Sequence, residues 1–246
     1  MFTDTATIIW KESREFLTVR PSLRGGWAGL LIILAVFGVM FPLQSGLDWL
    51  NAPTTILIWA WLPFILVNSV IADSFAGERE RHTLETLLAS RLSDKSILIG
   101  KMCSAIIYGW GITLVGNLVS LITINISNWS GEIHFFPPLI GLSVFILSFL
   151  VAWLAAGLGV LVSLRASSVR QAQQTLSVAF LVLFIPLLLL PLLPSELQVT
   201  FQNALIGVDL QMVISTATLT LLLIDLVLLL IASRRFQRAD LIIAGN

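Results

Sequence analysis

Apolar residues in this chain fall in long unbroken runs, and polar residues gather between them. Six runs, approximately 26–43, 55–75, 102–126, 138–164, 176–194 and 213–233, are long enough to be membrane spans. About 20 mainly apolar residues in a helix cross the roughly 30 Å hydrocarbon core of a bilayer. The runs are continuous rather than alternating, which predicts helices and not the strands of a barrel. The fourth run is long enough to tilt in the bilayer. Pro186, Pro191 and Pro194 leave a kinked or partly re-entrant path open to the fifth. The pattern predicts an all-α integral membrane protein, one transmembrane domain of six helices over 1–246.

Two polar stretches carry their own periodicity. Near the N-terminus, Ile9, Trp10, Phe16 and Leu17 gather on one helical side, with Lys11, Glu12, Arg14 and Glu15 on the other. This predicts an amphipathic helix over 6–24 lying among the lipid headgroups, turned into the first span by Pro21 and Gly25–Gly26. A polar leader that only supplies charge is the blander alternative. The second stretch is "FAGERERHTLETLLASRLSDKSILIGK", residues 75–101, which holds nine Arg, Lys, Asp or Glu residues. Inside it Leu84, Leu87, Leu88 and Leu92 recur at helical spacing. A turn of two to eight residues is enough to join two antiparallel helices. A short amphipathic helix here offers a partner something to grip; a solvated loop is the alternative.

Composition agrees with the pattern and adds orientation. Hydrophobic residues make up 57% of the 246, mean hydropathy is +0.95, and only 11% are charged. Soluble domains carry about 25% charged residues. The net charge is zero, yet all 14 Lys and Arg residues lie in the N-terminal tail, 76–101, 165–170 or the C-terminal tail. Segments 44–54, 127–137 and 195–212 contain none. The positive-inside rule therefore places both termini and segment 76–100 in the cytoplasm and the cation-free segments outside. The expected location is the inner (plasma) membrane, crossed several times.

Catalytic chemistry finds little support. The single cysteine, Cys103, excludes an internal disulfide framework and any multi-cysteine metal site, and with two histidines no metal site is expected. Gly100–Lys101 is followed by Met102, and Lys95 stands where a phosphate-binding loop needs its first glycine. The first 25 residues are too charged for a cleaved signal peptide. Basic residues are not interleaved with aromatics along a groove, so no nucleic-acid partner is expected. Ala152, Ala155, Ala156 and Gly159 are placed to let helices approach closely. Asp225, Asn68, Asn117 and Asn125 are polar residues inside the apolar runs. They read either as interhelical hydrogen-bonding groups or as marks of an ion path.

Residues 77–101 also resemble a known family. Gly77-Glu78-Arg79-Glu80-Arg81-His82-Thr83-Leu84-Glu85, then Leu87-Leu88, Leu92-Ser93 and Ile99-Gly100-Lys101, are similar to the pattern of ABC-2 type transporter permeases. His82 stands where that pattern has Gly, and Arg91 where it has Pro. The resemblance implies the membrane subunit of an ABC exporter, itself no enzyme and binding no cofactor. Segment 76–100 would then hold a coupling helix between spans two and three. Glu78, Arg79, Glu80, Arg81, Thr83, Leu84, Glu85, Leu87 and Leu88 would meet the motor. The implied partners are the lipid bilayer, a second permease chain (identical or not) and two ABC ATPase subunits carrying ATP and Mg. Substrate would pass between the paired permeases. An ATP-independent channel or ion-coupled secondary transporter is the competing class, for which Asp225 speaks.

Overall fold

The computed structural model describes residues 2–18, 23–83, 89–189 and 209–236, and every regular element among them is a helix. Helix α1 covers Phe2–Thr18. Helix α2 (Leu23–Ala35) runs through a π-helical turn, Val36–Met40, into α3 (Phe41–Ser45). Gly46, at φ 58°, stops it, because a left-handed residue cannot continue a right-handed helix. Then follow α4 (Asp48–Asn51), α5 (Pro53–Glu80), α6 (Asp94–Ser127), α7 (Pro138–Ser163), α8 (Val169–Leu189) and α9 (Leu210–Arg235).

The helix starts are legible locally. Pro53 and Pro138 open α5 and α7, where a missing N–H costs nothing. Ser93 caps α6 by accepting from the Ser96 N–H at 3.2 Å, and Asp209 caps α9 through Gln211 at 3.0 Å.

Among the described residues, five helices are long and apolar enough to cross a membrane: Ala28–Ser45, α5, α6, α7 and α9. The run 176–194 falls on α8 as far as Leu189, and its last five residues lie outside the described ones. Three helices overrun their expected bounds by five residues or more, α8 among them, which begins at Val169 rather than 176. The second run was expected to end at 75, but α5 continues to Glu80; the third was expected to start at 102, but α6 begins at Asp94. Glu78, Arg79, Glu80, Asp94, Lys95, Ser96 and Lys101 among the added residues are polar, and hydropathy scores a residue by its type alone. Several of them are buried against protein.

Helices α5 and α7 form the centre, α6 packs on both, and α9 lies against α7. In lipid, close packing and hydrogen bonds, not the exclusion of water, hold helices together. The small residues of α7 supply that closeness. Ala152, Ala155 and Ala156 have no exposed surface, and Gly159 sits so near Ile71 of α5 that a Cβ would overlap its side chain. On another face, a Cβ at Gly157 would lie 3.2 Å from Leu228 of α9. Trp110 Nε1 donates to Ser148 Oγ at 3.1 Å, joining α6 to α7.

At the far end, the expected loop 44–54 folds back rather than extending outward. Its helix α4 buries Trp49 and Leu50, and Trp49 stacks on Phe41 at 6.0 Å. Asn125 clamps the next loop, donating to the His134 carbonyl at 2.9 Å and accepting from its N–H at 2.7 Å.

Candidate functional site

The polar residues of α5 and α6 converge where the two helices face each other across residues 81–93. Lys101, on the second turn of α6, is 2% exposed. Its ammonium donates to Glu12 Oε1 of α1 at 2.9 Å and to Glu78 Oε1 of α5 at 2.8 Å. It also lies 5.5 Å from the ring centre of Phe75. Glu12 is 3% and Glu78 8% exposed, so an ammonium and two carboxylates are buried together. A charge taken out of water persists only when paired and hydrogen-bonded. The pairing thus holds three helices in register.

The residue before Lys101 has a matching task. A Cβ on Gly100 would come within 2.7 Å of Ile8, so the missing side chain lets α1 lie directly on α6. Ile8 and Glu12 are one helical turn apart and both buried. The seat of α1 therefore differs from the expected faces at Glu12, which belongs to the packed side. The outward polarity of Glu12 was inferred without knowing that a lysine waited on another helix.

The end of α5 reaches the remaining helices. Arg79 donates to the carbonyls of Leu164 at 2.8 Å and Ala166 at 2.7 Å, two acceptors just past the end of α7. Glu80 Oε2 accepts from the Val169 N–H at the start of α8, at 3.2 Å. Ser163 Oγ donates to the Ala72 carbonyl at 2.9 Å and accepts from the Ala76 N–H at 2.9 Å. Phe75 meets Phe236, just past α9, at 5.1 Å between ring centres. Arg81 donates to both carboxylate oxygens of Asp73, at 2.7 and 2.9 Å. That hydrogen bond raises the guanidinium pKa above its already high ordinary value. Gly77 makes room for the pair, since a Cβ there would overlap the Asp73 carboxylate.

The helix then stops in a defined way. Thr83 N–H bonds the Glu78 carbonyl at 2.8 Å and His82 N–H the Arg79 carbonyl at 3.1 Å, the two bonds of a Schellman motif. His82 occupies the left-handed position of that motif, at φ 55°. A polar cavity of about 390 Å³ opens onto the junction, lined by Glu12, Glu78 and Lys101 together with Lys11, Glu15, Asp73, Ser74, Arg81, Thr83 and Ser90.

The structure thus brings together Glu78, Arg79, Glu80, Arg81 and Thr83. Leu84, Glu85, Leu87 and Leu88 lie outside the described residues. Lys101, Glu12 and Asp73 join the site although sequence reading did not single them out as site residues. The available signal is the Gly100–Lys101 pair, which the sequence offers as a failed phosphate-binding loop and as the end of the family pattern, with no partner for the lysine.

The intramembrane candidates are separate from the junction and from one another. Asn68 lies beside a cavity of about 440 Å³ between α5 and α8, with Ser69, Gln173, Ser177 and Phe180. Asn117 is half-buried on α6. Asp225 has no exposed surface, and neither carboxylate oxygen has a hydrogen-bond partner among the described residues. No group of three His, Cys, Asp or Glu among the described residues is placed to hold a metal ion.

Comparison with known proteins places this geometry in context. A family profile described as "ABC-2 type transporter" matches residues 3–186. The ABC transporter permease protein NatB of Bacillus subtilis (strain 168) is 28% identical over 155 residues. That match covers 58% of this chain and 39% of NatB, so the chain spans about two fifths of that relative.

Proposed function

The chain belongs to the ABC-2 type transporter family, and from that premise we propose that it is the permease subunit of an ATP-driven exporter. In this reading six helices cross the inner membrane, α8 being the fifth, with both termini and the junction in the cytoplasm. Two such chains, identical or not, face each other and carry two separate ATPase subunits that bind ATP and Mg. Helix α1 lies at the headgroup boundary, held there by Ile8 and Glu12.

One observation carries the reading. The end of α5 touches α6, the end of α7, the start of α8 and the end of α9 immediately before residues 84–88, and Lys101 of α6 ties it to α1. A push delivered to that segment has a rigid path to the described spans that follow it. Leu84, Glu85, Leu87 and Leu88 are the docking surface in this reading, while Glu78, Arg79, Glu80 and Arg81 transmit rather than bind. Paired bundles rocking as rigid bodies would then alternate access for cargo between the chains. The cavity beside Asn68 has a mostly apolar surface with four polar side chains on it, which suits amphipathic cargo.

The test is capture of the separately expressed ATPase subunit from detergent. Exposed ion pairs are worth about 0.2–1 kcal/mol, whereas truncating desolvated anchors costs about 2 kcal/mol or more. Leu84→Ala with Leu87→Ala is therefore expected to weaken capture at least tenfold, at low and high salt alike. Capture that collapses in high salt and ignores the leucines would overturn the docking assignment.

An ATP-independent channel or ion-coupled transporter is favoured by one feature, the unpaired buried carboxylate of Asp225. Under the exporter reading Asp225→Asn leaves ATP-dependent transport largely intact. Loss of transport with normal ATPase capture would favour the ion-coupled reading.

A further inference from the structure

The ends of α7, α8 and α9 enclose a second cleft, of about 350 Å³, that the junction does not use. Arg165, Arg235 and Gln171 line its polar side, and Leu161, Val162 and Ile231 its apolar side. Among the described residues no Asp or Glu lines it. Arg79 and Arg81 are engaged within the chain, but neither the Arg165 nor the Arg235 guanidinium has an ion pair or hydrogen bond among the described residues.

We propose that this cleft binds the phosphate of an anionic phospholipid. Two guanidinium groups around one cavity, without a partner among the described residues, repel each other until an anion sits between them, and the guanidinium fork matches phosphate oxygens in pairs. Gln171 is a further polar group beside them. The apolar side decides between a lipid and free phosphate. Leu161, Val162 and Ile231 stand on helices long and apolar enough to span a bilayer. The cleft therefore lies at the boundary between headgroups and hydrocarbon. From Ile231 the exposed apolar surface continues along α9 through Leu230, Val227 and Leu223, which gives an acyl chain a track that inorganic phosphate has no use for. Basic pockets between helices at a membrane surface suit anionic headgroups for the same reasons. A lipid seated here joins α7 and α9 to the start of α8. The inference needs the chain to sit in a bilayer but depends on neither the ATPase partner nor the orientation.

The experiment is native mass spectrometry of the full chain released from detergent and titrated with dioleoyl phosphatidylglycerol or dioleoyl phosphatidylcholine. The expected result is preferential retention of phosphatidylglycerol, reduced about fivefold by Arg165→Gln or Arg235→Gln and more than tenfold by both. Arg91→Gln, a cation outside the cleft, should leave retention unchanged. Equal retention of the two lipids, or wild-type retention by the double variant, would overturn the proposal. Photoactivatable phosphatidylglycerol on the unaltered chain keeps the test independent of variant folding. Adducts are expected within 161–175 and 227–235, and adducts confined to other segments count against the site. Inorganic phosphate that displaces the lipid at equal concentration would show the free anion to be the occupant and overturn the lipid assignment.

Discussion

Replacing Lys101 by Met removes one charge and nearly nothing else, because the two side chains have similar length. It leaves Glu12 and Glu78 facing each other in a spot where all three residues are at most 8% exposed. Removing one partner from a buried ion pair costs about 3–5 kcal/mol, because the other charge stays buried without compensation. Here two carboxylates lose the ammonium they share. Glu12→Gln is a different perturbation. Its amide oxygen still accepts from the ammonium, and two carboxylates against one ammonium become one against one. The expected loss is about 1 kcal/mol or less. At about 2–4 °C per kcal/mol for a chain of this size, Lys101→Met should lower the melting temperature by roughly 6–20 °C. Glu12→Gln should lower it by no more than about 4 °C. The assay is built in: Cys103 is the chain's one cysteine and is half-buried, so its reaction with a fluorescent maleimide during heating reports opening of α6. Combining Lys101→Met with Glu12→Leu and Glu78→Leu should recover most of the loss, since apolar replacement of a whole buried ion cluster is often neutral. Equal losses for Lys101→Met and Glu12→Gln would refute the reasoning, and so would a loss below about 1 kcal/mol for Lys101→Met.

Two further substitutions probe the packing around the junction by the same thiol measurement. Gly159→Val forces side-chain atoms into Ile71 and should cost about 1–3 kcal/mol; adding Ile71→Ala should return most of it, and no rescue means α5 and α7 are not in this register. His82 holds a left-handed conformation that costs a side-chain-bearing residue about 1–2 kcal/mol, against about 0.4–1 kcal/mol of extra chain entropy for glycine. His82→Gly should therefore raise the melting temperature by a few degrees and His82→Val lower it; the reverse order would show that residue 82 is not left-handed.

Hydropathy alone determined that this chain is helical and that it belongs in a membrane. These are properties of residue type summed over about 20 positions, and no single contact alters the sum. The motif around residues 77–101 was likewise legible, and the turn explains part of its spelling. Glycine suits position 82 because a Schellman motif needs a left-handed residue there, and this chain tolerates histidine instead. What the individual charges do was settled only in three dimensions. Arg79 reads as a surface cation until the carbonyls past α7 arrive beside it, and Glu12 reads as solvent-facing until α1 settles onto Gly100. Lys101 looks like one more cation that sets topology, yet it is the shared partner of two carboxylates 89 and 23 residues away in sequence. Pairings at such separations leave no periodic trace, because each partner alone obeys the same rules as a solvated residue. Only the fold decides which charges stay in water and which are withdrawn from it.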